Sequence, residues 1–223
     1  MTTSITYNRD CLEAMREMDD NAFELAIVDP PYGIGDKWLR PGENCHSSDA
    51  MRATTWGDKQ WDLEAPPSEY FNELRRVTCN QIIWGGNHFH LPPTRGVIIW
   101  NKPEMNLYSM ADGELAWSSF DWPLKIVTIS RATRGVTIHP TQKPVALYKW
   151  LLTNYAKPGD RILDTHLGSG SSRIAAYDLG FDFVGYELDT DYYNAQEERF
   201  QRHIAQPKLF VPEPQAMTQA ALI

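Results

Sequence analysis

The feature that most constrains the fold is a regular alternation of short β-rich stretches with helical ones along most of the chain. Such alternation is typical of α/β domains, in which helices connect the strands of a largely parallel sheet. The predicted strands are 24–28, 80–84, 97–100, 125–129, 161–164 and 183–187, and the predicted helices are 11–18, 68–77, 145–155, 171–179 and 191–204. No internal repeat is evident, and 223 residues suffice for one domain with a single core.

Two segments break the alternation. Residues 34–67 are rich in Gly, Asp, Trp and Pro and show no periodicity, and a loop of this length in a compact domain is usually functional or mobile. The tail after residue 205 contains three prolines and few core-like runs. We therefore predict a single domain over 1–205, with a long loop at 34–67 and a flexible tail at 206–223.

The charge of the chain is unevenly distributed. The net charge is −8, which taken alone disfavours a nucleic-acid partner. Residues 122–159, however, contain six Lys or Arg and no Asp or Glu. This segment could neutralise backbone phosphates, and Lys125, Arg131 and Arg134 are the predicted contacts. A solvated surface whose charge bias arose by chance is the alternative interpretation.

The sequence carries no sign of a membrane span, a secretion signal or a metal site. No apolar run approaches the ~18 residues of a transmembrane helix, so we predict a cytoplasmic protein without membrane contact. Cys11, Cys45 and Cys79 lie far apart and form no CxxC pair, and His88 and His90 have no third ligand nearby. The sequence therefore predicts neither a disulfide framework nor a bound metal.

The first motif with chemical meaning is Asp29-Pro30-Pro31-Tyr32, directly after an apolar predicted strand. An exocyclic amine of a nucleobase is a poor nucleophile, and a carboxylate together with a backbone carbonyl could accept its two hydrogens and make it more reactive. The prolines stiffen the turn and hold its carbonyls in fixed directions, and the tyrosine ring offers a stacking face for a base taken out of the helix. A rigid turn with Asp29 as a cap and Tyr32 as a packing residue is the alternative.

The second motif runs from Asp164 to Ser171 and contains Gly168 and Gly170. A strand, a glycine-rich turn and a helix N-terminus bring the backbone close to a nucleotide-type cofactor. Glu187 ends the next predicted strand, where an acidic residue commonly binds a ribose hydroxyl. The alternative is a tight turn with Glu187 as a surface acid.

The third motif is His139-Pro-Thr-Gln-Lys143-Pro144, before the predicted helix 145–155. Pro144 suits the first turn of a helix, and Lys143 with the polar residues before it could hold the carboxylate end of an amino-acid-like cofactor. A well-capped helix start is the simpler interpretation of the same residues.

The segments DPPYGIG, IIWGGNHF, IHPTQKP and DTHLGSGS, in this order, resemble the DNA amino-methyltransferases in which the catalytic motif precedes the cofactor motif. The resemblance extends from about residue 6 to residue 204. It implies a doubly wound, mostly parallel seven-stranded sheet with one antiparallel strand, of the Rossmann-like S-adenosylmethionine-dependent methyltransferase fold. It also implies S-adenosylmethionine as cofactor and DNA as partner.

The resemblance assigns residues to both halves of the site. Asp29, Pro30, Pro31 and Tyr32 would be catalytic. The cofactor residues that it implies are Asp10, Cys11, Asp29, Thr141, Gln142, Lys143, Asp164, His166, Gly168, Ser169, Gly170, Ser171, Glu187 and Leu188.

The chain departs from the family pattern in two places. It has Asp164-Thr165-His166 where the family usually has Asp-Pro-Phe or Asp-Pro-Tyr. The space for target recognition, residues 122–138, is short. This predicts a relaxed or very short target, recognition by the loop 34–67, or pairing of two subunits as a homodimer.

The predicted function is methyl transfer from S-adenosylmethionine to an exocyclic amine of a DNA base, with site-specific or relaxed specificity. Adenine N6 is preferred to cytosine N4 because Asp at the first position of the catalytic motif resembles the adenine enzymes. Two alternatives from other classes are a methyltransferase acting on RNA or protein and a catalytically inactive binding module on the same fold.

Overall fold

The computed structural model describes residues 2–34, 62–103 and 111–206, which contain one eight-stranded sheet. The strands are β1 (Ser4–Tyr7), β2 (Phe23–Val28), β3 (Thr78–Trp84), β4 (Val97–Asn101), β5 (Gly113–Ser118), β6 (Lys125–Thr128), β7 (Arg161–Asp164) and β8 (Asp182–Tyr186). Their order across the sheet is β1-β8-β7-β2-β3-β5-β4-β6. Only β5 runs antiparallel to its neighbours, β3 and β4.

Within the described ranges, the helices are α1 (Cys11–Arg16), α2 (Ser68–Val77), α3 (Val145–Tyr155), α4 (Ser171–Leu179) and α5 (Thr190–Ile204), and two short 3₁₀ turns cover Gly86–His88 and Arg131–Arg134. The predicted bounds of α2, α3 and α4 are confirmed. Helix α1 is two residues shorter than predicted, and α5 begins one residue earlier, where the Asp189 carboxylate caps its first turn.

The predicted fold class is confirmed, with one more strand than the seven implied by the family resemblance. The strands without a predicted counterpart are β1 and β5. Strand β1 has four residues and lies at the sheet edge, and its alternation of polar and apolar residues is too short to indicate a strand. Strand β5 begins with Gly113 and Glu114, residue types that are depleted in strands, and its central position in the sheet overrides that weak propensity.

Helices cover both faces of the sheet because its central strands are apolar on both sides. In β2, Leu25 and Ile27 belong to the core cluster that includes α3 and α4. The intervening Ala26 and Val28 belong to the cluster that includes α1 and α2. A strand buried on both faces produces the near-continuous apolar sequence that precedes the Asp29 motif.

The sheet order brings the two main sequence motifs together. Strand β2 pairs in parallel with β3 on one side and with β7 on the other. The chain passes from β2 to β3 on one side and from β7 to β8 on the other. The connections that follow β2 and β7 therefore lead in opposite directions across the sheet. Ligands of such sheets bind in the crevice at the carboxyl ends of the diverging strands, which is where Asp29 and the glycine-rich turn follow their strands.

Parts of two predictions lie outside the described residues. They are positions 35–61 of the loop, with Cys45, and positions 207–223 of the tail. Among the described residues, none of the helices is long and apolar enough to cross a membrane.

Candidate active site

A cavity of about 430 Å³ lies at the carboxyl ends of β2 and β7. Most of the predicted cofactor residues line it, namely Asp10, Cys11, Asp29, Thr141, Gln142, Lys143, His166, Gly168, Ser169, Glu187 and Leu188. The three motifs and the N-terminal Asp10-Cys11 pair therefore meet at one site. Their assigned roles stay predictions.

The other predicted site residues lie behind the cavity surface: Pro30, Tyr32, Asp164, Gly170 and Ser171 do not line it, whereas Pro31 does. Asp164 is buried and accepts hydrogen bonds from the Ser172 hydroxyl and from the backbone N–H of His166, at 2.5 and 3.0 Å. Burial raises the pKa of Asp164 to about 7. Asp164 thus stabilises the glycine-rich turn from behind.

Glu187 is coupled directly to the glycine-rich turn. One of its carboxylate oxygens accepts the backbone N–H of Gly168 at 2.8 Å, and the other accepts that of Asp189 at 2.9 Å. Each carboxylate oxygen has a second lone pair that is available to a ligand hydroxyl. Gly168 has φ = +51°, a backbone conformation that favours glycine. The conformation of the turn therefore explains why this position is a glycine.

The Asp10-Cys11 pair forms another part of the cavity wall. The Asp10 side chain caps α1 by accepting the backbone N–H of Glu13 at 2.9 Å. Burial raises the pKa of the Cys11 thiol to about 12, so Cys11 is an uncharged wall of the cavity at neutral pH.

The Asp29 turn is held by a residue from the long loop. The Tyr32 hydroxyl donates to Asp29 Oδ1 at 2.8 Å. The backbone N–H groups of Tyr32 and Gly33 both donate to Asp62 Oδ1, at 2.5 and 3.1 Å. Asp62 therefore fixes the part of the turn that follows the two prolines.

Lys143 lies between two partly buried carboxylates. Its ammonium contacts Asp29 Oδ2 and lies 3.1 Å from Glu114 Oε2, and the other Glu114 oxygen accepts Lys102 Nζ at 2.5 Å. Burial would raise the pKa of Glu114, but the two ammonium groups outweigh it and lower the pKa to about 2. Burial likewise acts to lower the pKa of Lys143, but Asp29 and Glu114 outweigh it and hold that pKa above its ordinary value.

The glycine pair after β3 accommodates the Tyr32 ring. Gly85 has φ = +68°, and a Cβ at this position would lie 2.2 Å from Cε1 of Tyr32. Two residues after Gly86, the exposed His88 ring stacks on Tyr32 with centroids 4.8 Å apart and planes 9° apart. The turn thus determines where an aromatic ring can approach Tyr32.

Several residues that line the cavity are absent from the predicted set, namely Arg9, His139, Tyr148, Thr165, Leu167, Asp189 and Tyr192. Most are sequence neighbours of predicted residues, so the motifs themselves indicate their position. Asp62, Glu114 and Lys102 lie in no motif. Only the sheet topology and the loop path reveal them.

Thr165 and His166 form a connected pair where the family has proline and an aromatic residue. The Thr165 hydroxyl hydrogen-bonds with Tyr70 Oη at 2.6 Å and with His166 Nδ1 at 3.0 Å. The His166 ring packs edge-on against Tyr70, with centroids 5.3 Å apart. The histidine therefore supplies an aromatic wall to the cavity.

We expect His166 to make the fold sensitive to acid. Burial lowers the pKa of His166 to about 4, against 6.5 for an ordinary histidine. Between these values the unfolded chain binds a proton that the folded chain does not, so stability falls as the pH drops from 6.5 to 4. Between pH 6.5 and 4, the His166→Asn variant should lose about 2 kcal/mol less unfolding free energy than the wild type. The measurement is urea unfolding of both proteins at the two pH values.

The comparison with the variant is needed because Asp164 acts in the opposite direction. Because its folded pKa is about 7, against an ordinary value of 3.8, the folded chain holds a proton over this interval that the unfolded chain lacks, which stabilises the fold as the pH drops. Equal losses of stability in wild type and His166→Asn would show that His166 binds its proton equally well in both states.

The predicted phosphate contacts lie on the side of the sheet beyond β5. Lys125 is exposed on the edge strand β6, and Arg131 and Arg134 are half-buried in the following 3₁₀ turn. The Gln142 amide donates to the carbonyls of Arg134 and Val136, at 3.0 and 3.2 Å, and so links this turn to the cavity wall. The 3₁₀ turn that contains the two arginines is therefore linked to the cavity wall through Gln142, whereas Lys125 lies on the edge strand.

Comparisons with known proteins agree with this arrangement. Residues 100–198 match the family described as DNA methylase. The chain is 22% identical to the type II methyltransferase M2.MboI of Moraxella bovis, over 87% of this chain and 86% of that protein.

Two solved structures share the fold. The crystal structure of the M1.HpyAVI–SAM complex has a TM-score of 0.54 and 18% identity, covering 89% of this chain and all of that one. The PvuII DNA methyltransferase, described as cytosine-N4-specific, has a TM-score of 0.57 and 16% identity, covering 89% and 87%. The predicted resemblance to the N6/N4 DNA amino-methyltransferases and the predicted methyltransferase fold are confirmed.

Proposed function

We propose that this chain, which resembles the N6/N4 DNA methyltransferases in motifs and fold, methylates an exocyclic amine of a DNA base, with adenine N6 as the preferred target. The observation that carries the proposal is that one cavity is bordered both by Asp29 of the catalytic motif and by the glycine-rich turn with Glu187. A carboxylate for the target amine and a nucleotide-type cofactor site are therefore adjacent.

The cavity fits S-adenosylmethionine, the cofactor predicted from the sequence and present in the M1.HpyAVI complex. Its volume lies within the range of small-molecule sites, and Asp10, Glu187 and Asp189 on its walls suit a ligand with ammonium and sulfonium charges. Glu187 would hold the ribose, and Gly168 would allow close approach of the backbone. When bound, S-adenosylmethionine supplies an electrophilic methyl group.

The residues of the chain would act by positioning and polarisation. Asp29 and a backbone carbonyl of the proline turn accept the two hydrogens of the target amine, which turns its lone pair towards the methyl donor. The flipped base would stack on Tyr32 in place of the exposed His88 ring, which would offset part of the cost of unstacking the base. The amine nitrogen would attack the methyl carbon directly, without a covalent enzyme intermediate, as the bond from that carbon to the sulfonium sulfur breaks. S-adenosylhomocysteine would be the leaving group, and the amine proton would leave to solvent after the transfer.

Adenine N6 is favoured by Asp29 at the first position of the motif, as in the adenine enzymes that the sequence resembles. The deciding test is digestion of DNA after reaction and identification of the methylated nucleoside. N6-methyladenine is the expected product. N4-methylcytosine would retain the class of enzyme and overturn the choice of base.

The basic 3₁₀ turn is proposed to contact DNA phosphates. We expect the Arg131→Ala, Arg134→Ala double variant to reduce the slope of log K against log salt by about 2, since each lost phosphate contact removes roughly 0.9. The measurement is fluorescence anisotropy with a labelled duplex at several salt concentrations.

The matched control is the Arg75→Ala, Arg161→Ala double variant, which removes two exposed arginines on α2 and at the amino end of β7. It should leave the slope unchanged. Equal slopes for both double variants would remove the 3₁₀ turn from the DNA interface. Target recognition by 122–138, by the loop 34–67 or by subunit pairing stays a prediction.

A further inference from the structure

Lys143 is a buried cation at the centre of a cluster of four charged side chains. Its side chain is 2% exposed and that of Glu114 is 28% exposed, and the cluster contains two lysines and two acids, so its net charge is zero. The Lys143 ammonium also lies over the Trp84 ring, 5.2 Å from its centroid, and Lys102 lies 4.9 Å from that of Trp100. These contacts come from five separate parts of the chain.

Such a cluster needs an explanation beyond stability. Desolvating an ion pair costs several kcal/mol per ion, and well-packed apolar residues often stabilise a core as well or better. One member of the cluster, Asp29, is nevertheless the carboxylate that the proposed reaction uses. Removing Lys143 alone would leave the partly buried Asp29 without its only ammonium partner among the described residues.

Lys143 is the group that most favours the ionised form of Asp29. Burial raises the pKa of the Asp29 carboxyl, and the ammonium of Lys143 is the largest influence in the opposite direction. The remaining acidic groups near it, Glu114, Asp62 and Asp164, favour its protonated form. Tyr32 donates to it, and the buried Tyr70 and Tyr148 hydroxyls face it from α2 and α3.

Asp29 also retains room for a substrate. A carboxylate has about four lone-pair positions, and Tyr32 and Lys143 take one on each oxygen. A lone pair therefore remains on each oxygen for the target amine. A protonated Asp29 would present a hydrogen instead and would lose the charge that strengthens this contact.

We propose that Lys143, anchored by Glu114 and through it by Lys102, is a positioning residue that keeps Asp29 ionised and oriented for the target amine. The inference rests on the proposed function for the role of Asp29. It differs from the role expected from the sequence, in which Lys143 holds the cofactor carboxylate, because the ammonium is already engaged by two carboxylates of the chain.

The test compares Lys143→Met and Lys143→Arg with Lys149→Met. Lys149 is the matched control because it lies on α3 and pairs with Asp178 at 2.7 Å, away from the cavity. Single-turnover methylation of DNA is measured from pH 5.5 to 9.5, and the Kd for S-adenosylmethionine is measured by calorimetry.

We expect Lys143→Met to lower the rate at pH 7 by about 10²-fold and to shift the acidic limb of the pH profile upward by at least about one unit. Lys143→Arg should restore the position of the limb, and Lys149→Met should match the wild type. Cofactor affinity should change less than about threefold. If the acidic limb of the pH profile does not move and the Kd for S-adenosylmethionine rises in Lys143→Met, the proposal is overturned. Lys143 would then bind the carboxylate of the cofactor instead.

A titration without cofactor or DNA keeps this proposal separate from the proposed function. The carboxyl ¹³C resonance of Asp29, assigned by its loss in Asp29→Asn, is followed against pH in wild type and in Lys143→Gln, which retains a polar side chain if methionine prevents folding. We expect Asp29 to be ionised at pH 7 in wild type and to titrate at higher pH in the variant. A protonated Asp29 at pH 7 in wild type, or equal titrations, would overturn the role of Lys143. Absence of methyl transfer by wild type would instead overturn the proposed function.

Discussion

We expect replacement of Asp29 with alanine to lower the single-turnover rate of DNA methylation by about 10³-fold, the scale of losing an electrostatic contact made to the reacting group. Asp29 is the carboxylate that borders the cavity and that Tyr32 and Lys143 both contact. In the proposed mechanism, the target amine would then have one acceptor fewer and no fixed direction. The rate is measured with saturating cofactor and excess enzyme, so that the chemical step is observed.

The variant is accompanied by two controls. Alanine leaves the Lys143 ammonium with Glu114 alone, so Asp29→Asn, which retains the shape of the side chain, is measured in parallel. Asp178→Asn removes a second lysine-paired aspartate outside the cavity and should leave the rate within about twofold. A folded Asp29→Ala protein that retains more than about a tenth of the wild-type rate would contradict the assigned role of Asp29.

Gly85→Ala is expected to damage the site through Tyr32. The added Cβ would lie 2.2 Å from Cε1 of the ring, at a backbone φ of +68° that alanine disfavours. The ring must move away, which breaks its 2.8 Å hydrogen bond to Asp29. A misplacement of about 1 Å in a catalytic site can cost about 10²-fold in rate. We also expect a loss of about 2–4 kcal/mol in unfolding free energy, from overpacking and backbone strain together.

Gly180→Ala separates the collision from the backbone strain. Gly180 has φ = +78°, and a Cβ added there has no heavy atom within 4 Å. This control should lose only about 1 kcal/mol and retain the full rate. Urea unfolding and single-turnover rates of both variants provide the comparison. Equal losses in the two variants would show that Gly85 matters for its backbone conformation alone.

The meeting of the Asp29 motif with the glycine-rich turn could be predicted from the sequence. Each motif directly follows an apolar strand, and the carboxyl ends of parallel strands share one edge of a sheet. Helices α2, α3 and α4 were predictable for local reasons. Pro67 and Pro144 precede α2 and α3, and left-handed glycines flank α4 at both ends.

The buried charges behind Asp29 could not be predicted. Glu114 reaches Lys143 because β5 is inserted antiparallel between β3 and β4, and no local pattern indicates that order. Asp62 lies in a stretch without periodicity and still supports the Asp29 turn through two backbone N–H groups. Both cases depend on contacts between residues far apart in sequence, which only the assembled fold determines.

The most direct test of the central claim is transfer of label from radiolabelled S-adenosylmethionine by the purified wild-type protein, offered unmethylated DNA, RNA and a protein lysate in separate reactions. We predict incorporation into DNA and none into RNA or protein. Label in RNA or protein alone, or no transfer to any of the three substrates, would contradict the assignment of this chain as a DNA methyltransferase.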